Sequence, residues 1–407
     1  MTRQTQAVPV IIAGSGPAGS VLALYLAQRD IPVVLLEKEA SLPVDLRAST
    51  FHPPSLEMIA SLGHGVIDKM LSRGLKVDHY QYRDRRTNEI ANFDMALIAD
   101  RTRFPFRLQL EQYEFTHMVN EALATLPAAT VKFSHEVTGF SQDDSGVDVT
   151  VRSAQGEETL RGLFLVSAEG ARRCIRKQAG IDFLGFTYDE KFLVVSTSFP
   201  FEEVFDNLSW VNYVSDPEEW CVILRTEKIW RVLFPTTPET AEDEDKLLSD
   251  EFIQARLHHL YAKDGDYDIG HRTLYAVNQR VAETYYQGRV LLVGDACHIN
   301  NPLGGMGMNG GIHDAYNLAQ KLEGIVQRGD DYLERFEHYN RQRRDLAVRF
   351  VQEHTIANKK LMEARDRATQ DQRQKMLMET AADPARAREF LLERAMINCV
   401  RDSEAVA

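Results

Sequence analysis

Residues 12 to 19 read "IAGSGPAG", a glycine triplet between a short apolar run and a helix-forming stretch. The preceding "VPVIIA" at 8 to 13 is continuously apolar and rich in β-branched residues, the pattern of a strand buried on both faces. From Pro17 to Arg29, Val21, Leu22, Leu24, Tyr25 and Leu26 make one broad apolar stripe at helical spacing, and "IPVVLLE" at 31 to 37 supplies a second strand. The order strand, turn, helix, strand is a βαβ unit. Gly14, Gly16 and Gly19 satisfy G-x-G-x-x-G, with Pro17 and Ala18 opening the helix. In such a loop the first glycine permits a tight turn, the second lets backbone approach a pyrophosphate, and the third lets helix and strand pack closely. The helix N-terminus attracts the anion. Glu37 ends the second strand, where a carboxylate accepts hydrogen bonds from adenosine ribose hydroxyls, and Lys38 follows it as a further dinucleotide contact. The stretch predicts dinucleotide binding and by itself leaves NAD and FAD both open.

With 407 residues and 44% hydrophobic content, the chain is longer than one ordinary domain, and two are expected. Against 60 Asp and Glu stand 47 Lys and Arg, a formal charge of −13. Nucleic-acid binding would have to be built against that field and is not expected. Cys174, Cys221, Cys297 and Cys399 lie far apart, giving neither the paired spacing of a zinc site nor a disulfide framework. No metal is expected, and a reducing, cytoplasmic setting fits best. The apolar start of the chain passes directly into the glycine motif and reads as a strand rather than a signal peptide. No run approaches the ~18 apolar residues of a spanning helix, so no integral membrane segment is expected.

Further along, "VKFSHEVTGF", "VDVTVRS" and "LRGLFLVSAEG" read as successive strands separated by turn-rich breaks. Residues 188 to 236 repeat this texture in "LSWVNYV", "EWCVILRT" and "IWRVLFP", which predicts an antiparallel sheet, and a helix is expected around 247 to 263. A last apolar strand, "RVLLVGDA" at 289 to 296, precedes a glycine-rich turn and a helix carrying Ile312, Ala315, Leu318, Leu322 and Ile325. From about 331 the pattern is helical and mixed in charge. The expected fold is therefore α/β, with a Rossmann-like dinucleotide-binding domain assembled from 1–75, 101–180 and 276–345. An antiparallel β-sheet substrate domain from 76–100 and 181–275 is inserted into it, and 346–407 form C-terminal helices that offer a surface for a homodimer.

The stretch "RVLLVGDACHINNPLGGMGMNGGIHDAYNLAQKL", residues 289 to 322, resembles the signature of class A flavin-dependent aromatic hydroxylases, the para-hydroxybenzoate hydroxylase-like FAD monooxygenases. The resemblance covers most of residues 8 to 345. It implies that Gly294 and Asp295 contact the flavin's ribityl chain and that Pro302 lines its reactive face. Gly307, Met308 and Asn309 match the turn against its pyrimidine edge. It further implies that Arg47, in "VDLRAST", and Gln112, in "LEQYEFTHMVNEAL", lie beside the flavin dinucleotide, with Val137 on the adenine-side strand. "SAEGARRCIRKQAGI" resembles the family's Asp-Gly motif, with Glu169 in place of the aspartate before Gly170. FAD rather than a nicotinamide is thereby implied as the resident cofactor.

The resemblance implies that NADH or NADPH reduces FAD, that oxygen adds at flavin C4a, and that the hydroperoxide passes one oxygen atom to an electron-rich aromatic ring. The protein must then exclude water and orient a small phenolic or nitrogen-heteroaromatic substrate, and a pocket at the domain junction suits this. Tyr213 is a candidate to hydrogen-bond a substrate phenol, and Arg225 to pair with a substrate carboxylate. Strand alternation puts Trp210 and Asn212 on one face and Tyr213 on the other, and groups Cys221, Ile223 and Arg225, without saying which face lines the pocket. Other reactions on the same fold stay open, including a quinone-pathway hydroxylase, an isoprenoid reductase or a noncatalytic flavin-binding regulator. A halogenase is disfavoured because "IWRVLFP" lacks the W-x-W-x-I-P pattern, and a disulfide reductase because no redox cysteine pair is present.

Overall fold

The computed structural model describes residues 8–406 apart from 45, 172–173, 217, 238–242 and 364–365. Strand Val10–Ala13 lies at the centre of a six-stranded sheet, parallel to Phe164–Ser167 on one side and to Val33–Leu36 on the other. Ala129–Lys132 and Val290–Leu292 extend the sheet in parallel, and Tyr286–Gln287 closes one edge antiparallel. Because both faces are covered, these strands are apolar throughout, as the run at 8 to 13 requires. The helix Pro17–Ala27 departs from the expected one-sided stripe: Gly19 through Ala27 are all buried. It is packed between the sheet and the helices Gln112–Leu123 and Met306–Glu323, so it has no solvent face to keep polar. A separate three-stranded antiparallel sheet, Glu136–Asp143, Gly146–Ser153 and Gly156–Gly162, fills the connection between the third and fourth parallel strands in chain order.

A second, larger sheet has eight strands. Its long strands Phe183–Thr197 and Ile269–Ala282 pair antiparallel, and Trp230–Pro235, Cys221–Arg225 and Val211–Ser215 follow antiparallel in turn. The wholly antiparallel expectation fails at one place. Val211–Ser215 runs parallel to His79–Asp84, because that strand arrives from a distant part of the chain rather than through a hairpin. One sheet face packs Leu193, Val195, Cys221, Ile223, Trp230 and Val232 against Ile253, Leu257 and Leu260 of the helix Asp250–Leu260. The opposite face carries Phe192, Val194, Tyr213, Val222 and Leu233, meets Val277 and Leu303 at one end, and is covered by Leu377, Leu391 and Leu392 at the other. The predicted C-terminal helices thus close the second face of this sheet as Arg367–Ala382 and Pro384–Arg394. No described helix is long and apolar enough to cross a membrane.

Candidate functional site

A cavity of about 1300 Å³ runs from the first glycine turn to the inner face of the eight-stranded sheet. At its first end the three glycines carry three separate constraints. Gly14 sits at φ +105°, and a Cβ there would stand 2.3 Å from the Ala168 carbonyl oxygen; a Cβ on Gly19 would stand 2.0 Å from the Gly14 carbonyl oxygen. A Cβ on Gly16 would meet nothing within 4 Å. The backbone at Gly16 therefore opens onto the cavity, at a helix N-terminus with no side-chain cap and no acid in its first turn. Its orphan N–H groups suit a pyrophosphate. Glu37 accepts the Ser15 N–H at 2.9 Å and the Glu39 N–H at 3.0 Å, which fixes its carboxylate on the cavity wall beside the loop. Pro17, Ala18, Lys38, Arg47, Gln112 and Val137 line the same end. Lys38 pairs with Glu39 at 2.5 Å.

The second glycine turn closes the cavity from the far end of the chain. Asp295 projects into the cavity and is itself exposed there; desolvation by the surrounding protein still pushes the carboxyl above the usual carboxylate range, against the pull of His298 and Arg47. Behind it lies a buried network that sequence reading missed. Asp314 accepts from His298 Nε2 at 2.9 Å, from Arg343 Nε at 2.7 Å and from the Gly294 N–H at 3.3 Å. Burial works against the Asp314 charge, yet Arg343 and His298 hold its carboxyl below the usual range. The helix Met306–Glu323 starts at Gly305, which has φ +66° and no side-chain cap, and Met306, Gly307 and Met308 present its first turn to the cavity together with Pro302. Asn309 is different from its expected place. It is fully buried and its amide is spent inside the protein: Oδ1 accepts the His52 N–H, and Nδ2 donates to the Thr50 and Gly305 carbonyls. His52 in turn hydrogen-bonds the Gly304 carbonyl at 2.8 Å through Nε2. Asn309 thus ties the Gly304–Gly305 turn to the segment 50–52 rather than facing the cavity.

At the sheet end, Val194, Leu224, Leu233, Tyr275 and Val277 form the wall. This corrects both proposed substrate contacts. Arg225 shares the face of Cys221 and Ile223, turned away from the cavity, where it lies 3.9 Å from Glu202 and 5.7 Å from the Trp230 ring centre. Tyr213 is on the cavity-side face but outside the lining, stacked on Tyr82 at 4.8 Å beside the buried Arg107. Strand alternation grouped these residues correctly; the helix Asp250–Leu260 decides which group is covered. Besides the polar side chains of Tyr275 and Asn278, this end carries a charged group, Arg231, whose Nη2 donates to Glu111 at 2.6 Å and Nη1 to the Arg47 carbonyl at 2.8 Å. Its signal was in "IWRVLFP": one cation alternating with core residues on an otherwise apolar strand. Its partner Glu111 is 120 residues away and carries no local signal. Glu169 turns its carboxylate onto its own chain, accepting from Ser167 Oγ at 3.1 Å and the Ile175 N–H at 3.3 Å while still lining the cavity.

Residues 7–354 match the protein-family model described as FAD binding domain. The chain belongs to this FAD-binding family. Para-nitrophenol 4-monooxygenase of Pseudomonas sp. (strain WBC-3) is 30% identical to it over 398 residues, 96% of each chain. The 6-hydroxy-3-succinoylpyridine 3-monooxygenase of Pseudomonas putida (strain DSM 28022 / S16) is 29% identical over 337 residues, 81% of this chain and 83% of that one. The crystal structure of p-nitrophenol 4-monooxygenase from Pseudomonas putida DLL-E4 superimposes with a TM-score of 0.88 at 28% identity, covering 95% of this chain and 98% of the other. The family member described here is a class A FAD-dependent aromatic monooxygenase. FAD, not a nicotinamide, is its resident dinucleotide.

Proposed function

We propose that this enzyme hydroxylates a small phenolic or nitrogen-heteroaromatic substrate, taking electrons from NADH or NADPH and the inserted atom from O2. The observation that carries the reading is one continuous cavity, with dinucleotide-binding groups at one end and an apolar sheet face with Arg231 at the other. The monooxygenases to which the chain is similar, acting on a nitrophenol and on a hydroxylated pyridine, support the same substrate class. FAD, when bound and reduced, supplies the activation of O2. The residues present fit it. Gly14, Gly16, Pro17, Ala18 and the helix they open would hold the pyrophosphate, with Gly19 keeping that helix against the strand. Glu37, Lys38, Arg47, Gln112 and Val137 would surround the adenosine side, and Asp295 the ribityl chain. Backbone donors at Gly307 and Met308 would face the pyrimidine edge and stabilise negative charge there without adding a titrating group. Asn309 would act through the turn it holds. Pro302 and the wall Val194, Leu224 and Leu233 would keep water from the reacting ring. In domain terms, 1–75, 101–180 and 276–345 would bind FAD and 76–100 with 181–275 the substrate, capped by 346–407.

The test is reduced-nicotinamide oxidation by the FAD-loaded enzyme with and without a panel of phenols and hydroxypyridines, coupled to product analysis. Stimulated oxidation with a hydroxylated product is expected for at least one of them. A broad panel giving neither stimulation nor product would overturn the reading.

A further inference from the structure

Among the described sheet residues lining the cavity, Arg231 is the one cation. It is buried, 3% exposed, as is its partner Glu111 at 9%. Two of its nitrogens are spent, on the Glu111 carboxylate and on the Arg47 carbonyl, and its Nε is enclosed by protein with no partner. Burial raises the Glu111 carboxyl against the pull of Arg231, and the contact of 2.6 Å leaves the two as a compensated pair. Around them the wall is Val194, Leu224, Leu233 and Val277, with Tyr275 donating its hydroxyl to the Leu46 carbonyl at 3.2 Å. Arg47 lies toward Asp295, at the dinucleotide end.

Resting on the function just proposed, we infer that the enzyme selects phenols without a carboxylate, and that Glu111 sets this selectivity by occupying Arg231. A substrate carboxylate placed against this wall loses its water and meets no uncommitted cation, the situation in which a buried charge is most costly. A neutral ring substituent, nitro included, loses little hydration and fills the same space. A site built for carboxylated phenols would instead leave its arginine fork open to the ligand.

The experiment compares 4-nitrophenol with 4-hydroxybenzoate, two ligands of the same planar shape, by calorimetric titration of the FAD-loaded enzyme at a pH where both phenol hydroxyls are protonated. The nitrophenol is expected to bind on the order of 100-fold more tightly, the magnitude of an uncompensated carboxylate. Glu111→Gln should narrow that ratio roughly tenfold or more by opening Arg231 to the carboxylate, and the double change Glu111→Gln with Arg231→Gln should restore it. Equal binding of both ligands by the unaltered enzyme overturns the inference, as does an FAD-retaining Glu111→Gln variant with an unchanged ratio. If neither variant retains FAD, the ratio in the unaltered enzyme decides. Hydroxylation of 4-hydroxybenzoate at least as efficiently as of 4-nitrophenol would sink this selectivity while leaving the monooxygenase reading intact; no product from any phenol would sink that reading instead.

Discussion

Asp314, buried behind the cavity wall, shows how a single residue can set the geometry of a lining turn. Its carboxylate is fully buried and holds together the Gly294 N–H, His298 and Arg343, which come from three separate elements. The attraction within such a group adds little net stability, because desolvation offsets most of it. Removing one member is another matter. Asp314→Ala leaves the Arg343 guanidinium buried and unpaired, and should cost about 3–5 kcal/mol in urea unfolding while weakening FAD retention. A variant with unchanged unfolding midpoint would show the network to be dispensable. The sequence motif "HDAYNL" made Asp314 visible as one letter, but its two side-chain partners stand 16 and 29 residues away and no local pattern joins them.

At the scale of elements, the first turn and helix are the best-specified part of the chain. Continuous apolar runs and helical spacing located the βαβ unit, and the glycine spacing announced the contacts that Gly14 and Gly19 make. Gly19→Val should therefore drive the helix Pro17–Ala27 off its strand, since the added Cβ would stand 2.0 Å from the Gly14 carbonyl oxygen, which is backbone and cannot swing aside. The expected outcome is protein purified without yellow colour and unable to regain it on incubation with FAD; a variant that takes up FAD normally would refute this account of the packing. The helical boundaries were less legible. The helix expected over 247 to 263 is present but shorter, Asp250–Leu260, because the Ser249 hydroxyl accepts the Phe252 N–H and starts it there, after a separate short turn of helix at Glu244–Leu247.

For the molecule as a whole, two buried histidines tie the second glycine turn and the helix it opens to global stability. His52 contacts the Gly304 carbonyl and His313 contacts Ser55, and both rings are fully enclosed. Burial, with Arg107 nearby, lowers the His52 pKa to about 3 from 6.5, and burial with Arg343 lowers that of His313 well below 6.5. A depressed folded pKa means the unfolded chain takes up the proton first. Their contribution to stability is thus complete above pH 6.5 and is lost as pH falls toward about 3. For His52 alone the loss at pH 5 is about 2 kcal/mol, so unfolding midpoints should fall steadily from pH 7.5 to 5 and a His52→Gln variant should fall less steeply. Parallel slopes for the two proteins would remove His52 from the account. Local pattern by itself determined the βαβ unit, the glycine cradle and the strand faces, because backbone geometry repeats over two to four residues and leaves its period in the chain. Only the tertiary structure decided which sheet face meets the cavity, that Arg225 and Tyr213 lie outside it, and that Arg231 is held by Glu111. Those outcomes depend on which distant helix covers which face and on ion pairs closed across more than a hundred residues, and no spacing along the chain encodes them.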